Sequence, residues 1–434
     1  MAPNKQNNID LSVNFAGIYS PNPFWLASAP PTNTGEQVER AFEAGWGGAV
    51  WKTIGRPIQN VTSRFGAIDF ANKKLMGFNN IELISDRPTE TNLREMVEVK
   101  KRYPKHALIA SLMVETKEEW RELIKQVEDA GCDGIELNFG CPHGMCERGM
   151  GSAVGQEPNI LEMITGWAKE YARIPVIVKL TPNITDITIP AEAARSSGAD
   201  AVSLINTIKS IISVDVNSFA PTPTVNGKGT NGGYCGPAVK PIAMHMVGAI
   251  ARKHGKNLPI SGIGGVSTWK DAVEFMLLGA GTVQVCTAVM HYGYRIIDDL
   301  THGMKAYMNE KGFTSVGDFI GKAVPNYTDW GSLDLTYALI ADIHDESCIG
   351  CNLCVVACND GGHQCLSLNP EYKADGHTRK APILKEEECV GCNLCKLICP
   401  APGAISMKQI PYEKHYHGRT YRHGVMEMSH ELHQ

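Results

Sequence analysis

"ALIASLMVETKEEWRELIKQVEDAGCDGIELN", residues 107–138, holds a strand, a helix and a second strand in one stretch. ALIASLM and GIELN are short, continuously apolar runs, without the polar alternation of a sheet that wets one face. Between them Trp120, Leu123, Ile124 and Val127 recur at helical spacing and form one apolar stripe. Thr116 and Glu119 stand three apart at the start of that helix, the spacing of a capping box. Such a unit predicts parallel strands buried on both faces, joined by a helix that covers them.

The same unit repeats outward in both directions, from about residue 20 to residue 312. PFWLAS, GGAVWKT, ALIASLM, GIELNFG, PVIVKLT, AVSLINT, PISGIGG and TVQVCTA make eight candidate strands with amphipathic runs between them. Eight β-α repeats without a Rossmann fingerprint predict an α/β fold of the (β/α)8 type, the TIM barrel. A doubly wound open sheet is the runner-up and explains eight repeats less well.

Barrels of this kind place their reactive groups at the C-terminal ends of the strands. Here those ends are polar: Ser28, Lys52 and Thr53, Asn138 with Cys141, Lys179 with Thr181, Asn206 and Thr207, then Gly264 and Gly265. Turn formers and apolar residues would suffice for folding alone, so the pattern predicts one shared site. In SGIGGVSTWKDAV the glycines after the seventh strand lead into a helix N-terminus. Backbone amides and the helix dipole there suit an anion, which predicts a phosphorylated cofactor.

Fourteen cysteines are many for a chain of 434 residues, and eight of them form two runs, CIGCNLCVVAC and CVGCNLCKLICP. Each has C-x2-C-x2-C-x3-C spacing, in which the fourth cysteine ligates the other of two iron–sulfur clusters. This assigns Cys348, Cys351, Cys354 and Cys399 to one [4Fe–4S] cluster, and Cys389, Cys392, Cys395 and Cys358 to the other. Zinc, the alternative, normally uses two C-x2-C pairs and needs no duplicated four-cysteine run. The last quarter thus reads as an α+β two-cluster ferredoxin-like domain. Cys365 fits no ligand position and is assigned to packing. His415, His417, His423, His430 and His433 fit no regular metal motif and predict a solvated or partner-covering tail.

Hydrophobic residues make up 43% of the chain and charged ones 20%, enough apolar material for packed cores. A net charge of −5 gives no reason to expect nucleic acid or an anionic membrane as partner. MAPNKQNNIDLSVNF contains no apolar stretch of signal-peptide length, and no run is long enough to span a bilayer, so a cytoplasmic location is expected. The expected layout is a barrel over 1–312, a connection over 313–340, the cluster domain over 341–410 and a tail over 411–434.

Several longer segments, NPFWLASAPP, AFEAGWGGAVWKT, NIELISD, LNFGCPHGMCERGMG, VKLTPNITDI, GPAVKPIA and SGIGG, occur in this order before the cysteine runs. Together they resemble the dihydropyrimidine dehydrogenase family, its bacterial pyrimidine-reducing subunits in particular. The barrel is also similar to the dihydroorotate dehydrogenases. The resemblance implies FMN in the barrel and reduction of the 5,6 double bond of uracil or thymine. Hydride would pass from FMN to C6 and a proton from Cys141 to C5, with His143 returning the proton to the thiol. It further implies Asn80, Glu82, Asn138, Asn206 and Thr207 as substrate contacts. Ser28, Lys52, Thr53, Lys179, Gly236, Gly264, Gly265 and Thr287 are implied as FMN contacts, with Lys179 raising the electron affinity of the flavin.

Electrons would enter from NADH through the two [4Fe–4S] clusters. No G-x-G-x-x-G opens a βαβ unit in this chain, so the nicotinamide site is expected on a separate FAD- and NAD-binding flavoprotein subunit. The resemblance implies a homodimer within a heterotetramer. One departure stands beside the motif: Gly140 occupies the position where the mammalian pattern has serine. Two rival readings stay open, a dihydroorotate-type dehydrogenase and an electron-transfer iron–sulfur flavoprotein.

Overall fold

The computed structural model describes residues 9–371 and 380–411. The chain divides into two compact units after Tyr327.

In the first unit eight strands are parallel, pair in chain order and close into a barrel. They are β1 (Phe24–Leu26), β2 (Gly48–Ile54), β3 (Ala107–Leu112), β4 (Gly134–Asn138), β5 (Val176–Lys179), β6 (Ala201–Leu204), β7 (Ile260–Ile263) and β8 (Ala280–Val285). Each falls within one of the eight apolar runs, apart from Ile54 at the end of β2 and the first two residues of β8, and all seven residues of β2 are buried. Barrel side chains and the helices outside bury both faces of every strand, which is why no polar alternation appears. The helix Lys117–Asp129 buries Trp120, Leu123, Ile124 and Val127, and the reciprocal Thr116–Glu119 cap is present.

Register sets the polar strand ends side by side. Asn138 pairs with Lys179 across β4 and β5, and Lys179 with Ser203 across β5 and β6. At the other end, the hairpin Val13–Phe15 and Ile18–Ser20 buries Phe15 and Ile18 against Trp25, Val50, Ala107 and Ala201. The N-terminal mouth is therefore plugged with apolar side chains, and the C-terminal mouth is left for chemistry.

Two features depart from the sequence reading. A four-stranded antiparallel sheet is inserted after β2 and β6, in the order Ile208–Ser210, Gly232–Cys235, Lys73–Asn80, Phe65–Phe70. Residues 313–327, expected as part of a connection, belong to the barrel unit. Val316 and Phe319 are buried in its core, and Phe319 stacks on Phe313 at 5.7 Å. Burial of those aromatics fixes the segment against the barrel wall.

In the second unit Ala338–Ile343 pairs antiparallel with Ile405–Ile410. Each cysteine run leads into a short helix, Leu353–Gly361 or Leu394–Ile398. The two halves repeat one backbone: Gly350 and Gly391 both have φ of 66°, and Asn352 and Asn393 are both left-handed, at 58° and 70°. The identical C-x-G-C-N-L-C letters thus fold as one motif made twice. Of the histidine tail expected over 411–434, everything from residue 412 on lies outside the described residues.

Candidate active site and cluster-binding unit

The fifteen barrel residues named as catalytic, substrate or FMN contacts line one cavity at the C-terminal mouth, with about 1130 Å³ of space counting the part open to solvent, whereas Thr181, expected among the polar strand ends, is buried outside it. Strand ends, the inserted sheet and the loop after β4 each contribute to its wall.

A hydroxyl and amide network forms one side. Thr53 Oγ1 lies 3.1 Å from Ser28 Oγ and 2.8 Å from Ser111 Oγ, and accepts from Asn138 Nδ2 at 2.9 Å. Asn138 Oδ1 in turn accepts from Asn206 Nδ2 at 2.8 Å, and Asn206 Oδ1 from the Thr207 amide at 2.8 Å. Asn80 is fixed by donating to the Gly233 carbonyl at 3.2 Å. Amides held this way present both donors and acceptors, which suits a heterocycle whose edge alternates the two.

Two lysines face the cavity, each with a carboxylate. Lys52 Nζ is 2.5 Å from Glu82 Oε2, and the other oxygen of Glu82 takes Arg64 at 2.8 Å. Lys179 Nζ is 3.3 Å from Glu136 Oε1. Glu82, expected to touch substrate, lines the cavity with both oxygens engaged by cations. Arg64, Glu136, Gln284 and Ser111 were not picked out beforehand. Three of them carried a signal nonetheless: a lone polar residue within an apolar strand, as in GIELN, TVQVC and LIASL.

The loop after β4 carries Cys141, His143 and Cys146. Cys141 is partly buried, and loss of hydration pushes its thiol up to about 11, so it keeps its proton at neutral pH. Its Sγ faces the His143 carbonyl at 3.5 Å, while Cys146 Sγ faces the Pro142 carbonyl at 3.3 Å. His143 is buried, and its Nε2 lies 3.0 Å from the carbonyl of Glu82. A carbonyl only accepts, so Nε2 carries the hydrogen and Nδ1 holds the lone pair. Burial lowers the histidine's proton affinity, and Nδ1 has no partner among the described residues. At Gly140 a Cβ would stand 2.3 Å from that of Asn206.

The glycine cradle is real but differs from expectation. Gly236, Gly264 and Gly265 have positive φ, and a Cβ on Gly265 would meet the Gly236 carbonyl at 2.9 Å. The following helix starts only at Trp269, and Asp271 Oδ2 already takes the amides of Ser267 and Thr268. The protein's own carboxylate thus occupies the two amides that lead into this helix. What stays open is earlier in the chain. Among the described residues nothing accepts from the amides of Gly265 and Val266, which line the cavity near Gly236 and Thr287. Free amides at one end and paired lysines at the other fit a phosphorylated flavin.

In the second unit the cysteines surround two small voids, whose volumes count the part open to solvent. Cys348, Cys351, Cys354 and Cys399 line one of about 320 Å³. Cys358, Cys389, Cys392 and Cys395 line the other, of about 360 Å³. Each run therefore sends its fourth cysteine to the partner void. Among the described residues no three His, Cys, Asp or Glu side chains converge closely enough for a single metal ion. Cys365 is buried beside the second void, its Sγ 2.8 Å from the Glu388 carbonyl.

Comparison with known proteins agrees with this division. The sequence profile for dihydroorotate dehydrogenase matches residues 10–308, and that for a 4Fe-4S dicluster domain matches residues 341–407. The NAD-dependent dihydropyrimidine dehydrogenase subunit PreA of Escherichia coli K12 is 44% identical over 360 residues, covering 82% of this chain and 87% of its own. Chloroplastic dihydropyrimidine dehydrogenase (NADP(+)) of Arabidopsis thaliana is 44% identical over 332 residues, 74% of this chain and 78% of its own. The catalytic subunit of dihydroorotate dehydrogenase B (NAD(+)) of Thermococcus kodakarensis is 38% identical over 319 residues, 72% of this chain and 98% of its own.

Proposed function

Because the chain belongs to the dihydroorotate dehydrogenase family and, within it, to the dihydropyrimidine dehydrogenases, we propose that it reduces the 5,6 double bond of uracil and thymine. It is an oxidoreductase, and its product in this reading is the 5,6-dihydropyrimidine.

FMN, once bound in the cavity, would supply hydride for C6. Lys52, Lys179, Ser28 and Thr53 would hold its ring end, and Gly236, Gly264, Gly265 and Thr287 its phosphate. Asn80, Asn138, Asn206 and Thr207 orient the base by its edge. Cys141 gives its S–H proton to C5 as the new C–H bond forms. His143 returns a proton to the thiolate through Nδ1, whose buried lone pair has no other partner among the described residues, while its Nε2 ties the loop to Glu82. The thiol's raised proton affinity keeps it loaded at neutral pH.

The observation that carries this reading is the meeting of Cys141, four amide or hydroxyl side chains and two lysines around one cavity. A neutral base also suits the site better than a carboxylate-bearing substrate such as dihydroorotate. Both cavity lysines, and Arg64 behind them, are already paired with Glu82 or Glu136.

In the second unit, Cys348, Cys351, Cys354 and Cys399 would hold one [4Fe–4S] cluster and Cys358, Cys389, Cys392 and Cys395 the other, and such clusters would supply one-electron transfer. NADH is oxidised on a partner flavoprotein subunit, and the assembly is a homodimer within a heterotetramer. The location in this reading is the cytoplasm; no helix among the described residues is long and apolar enough to cross a membrane.

The test is an anaerobic one. The purified chain is reduced with an artificial donor, uracil is added, and flavin absorbance is followed. Rapid return of the oxidised flavin band with formation of dihydrouracil is expected. A reduced flavin that uracil leaves unchanged, or that only orotate reoxidises, would remove the proposal.

A further inference from the structure

Glu136 lies on β4 two residues before Asn138 and is fully buried, at 0% exposure. A carboxylate in such a place is costly unless paired and hydrogen-bonded. Three other strands supply its partners. Oε1 faces Lys179 Nζ at 3.3 Å, and Oε2 accepts from Ser203 Oγ at 2.7 Å and from Gln284 Nε2 at 3.2 Å. The Gln284 atom that faces a carboxylate must be its NH2 group. That group also donates to Ser261 Oγ at 3.2 Å, and Gln284 Oε1 is left buried without a partner among the described residues. Lys179 and Gln284 line the cavity, and Glu136 stands behind both.

We propose that Glu136 is a positioning residue for the cofactor site: it fixes the Lys179 ammonium and the Gln284 amide at the cavity wall and offsets the lysine's charge. The proposal rests on the FMN reading above. Charges at this depth interact strongly, because little water screens them. With the carboxylate in place, part of the pull of Lys179 on an electron-rich reduced flavin is cancelled. Without it the lysine acts in full, and the flavin becomes easier to reduce.

The measurement is an anaerobic redox titration of flavin absorbance in the full chain carrying Glu136→Gln. The reduction equilibrium is expected to move about tenfold toward the reduced form, ~30 mV for two electrons. The shift should shrink in a Lys179→Gln background, which a purely structural defect would not do. A wild-type midpoint in Glu136→Gln overturns the proposal, as does an equal shift without Lys179. A wild-type chain that holds no flavin removes the FMN reading itself, and this proposal with it. Should Glu136→Gln not fold, Glu136→Asp keeps the charge but draws it back by one methylene. A smaller shift of the same sign supports the proposal, and an unmoved midpoint sinks it.

Discussion

The residues around the barrel cavity are drawn from positions as far apart as Ser28 and Thr287, whereas more than half of the residues lining each void of the second unit come from the two short cysteine runs. The two sites also relate differently to the core beneath them. Under the cavity lies a large apolar core that extends through the barrel and its helices. In the second unit four of the nine buried core residues among those described are themselves cysteines, Cys354, Cys365, Cys389 and Cys395. A barrel side chain can be lost with its chemistry while the fold stays. A cluster ligand is part of what its unit folds around, as metal binding and folding are one equilibrium in small metal domains. The effects of substitution should therefore be all-or-none in one region and graded in the other.

The largest effect is expected from Cys392→Ala. One of the four cysteines assigned as ligands at the second void is lost, and the iron content should fall to about half, one cluster of two. NADH-driven turnover with the partner subunit should drop to background, while the flavin spectrum and the barrel's circular dichroism stay as in the wild type. Full iron content with normal turnover would break the contrast between the two regions.

Cys141→Ala tests the graded side. Flavin and clusters should remain bound, and pyrimidine reduction should slow by roughly 10²–10⁴-fold, the usual span for a lost general acid. The pH profile carries a sign. The donor is the protonated thiol, and its proton affinity is raised, to about 11. Activity should hold as pH rises past the ordinary thiol value of ~8.5 and fall only as pH nears that higher value. A wild-type decline centred near pH 8.5 that vanishes in a Cys141→Ser variant would show a thiol exposed to water instead.

How much of this was legible in sequence follows the same contrast. The cysteine runs could be read outright, because ligand spacing is local and both halves repeat the same letters. The eight barrel strands were legible because burial on both faces leaves continuous apolar runs, as in GAVWKTI. The inserted sheet was not. In Phe65–Phe70 nearly every residue is exposed, so no apolar pattern marks it, and its pairing with Gly232–Cys235 through Lys73–Asn80 spans more than 150 residues. The paired charges were hidden for a related reason. Glu136 and Lys179 can be seen as polar residues in apolar strands, but their meeting depends on strand register. The helix N-terminus at Trp269 shows the limit of glycine patterns. Whether a helix end is free depends on what caps it, and here Asp271 does.

Gly140→Ser should have the smallest effect, and it tests how far the barrel's tolerance extends. The resemblance to mammalian enzymes makes serine look harmless at this position. In this chain the added Cβ would lie 2.3 Å from Asn206 Cβ and 2.6 Å from its Nδ2. Asn206 must then shift, and its 2.8 Å bond to Asn138 Oδ1 stretches or breaks. Overpacking of this kind costs about 1–3 kcal/mol. The barrel core should absorb that without unfolding, so the loss should appear in substrate binding. KM for uracil should rise about tenfold, equivalent to ~1.4 kcal/mol, with kcat changed less. Removing the Asn206 side chain, Cβ included, by Asn206→Gly should make the serine almost silent, since the clash and its partner disappear together. If Gly140→Ser instead lowers kcat and leaves KM alone, the strain has reached Cys141 next door rather than the amide pair.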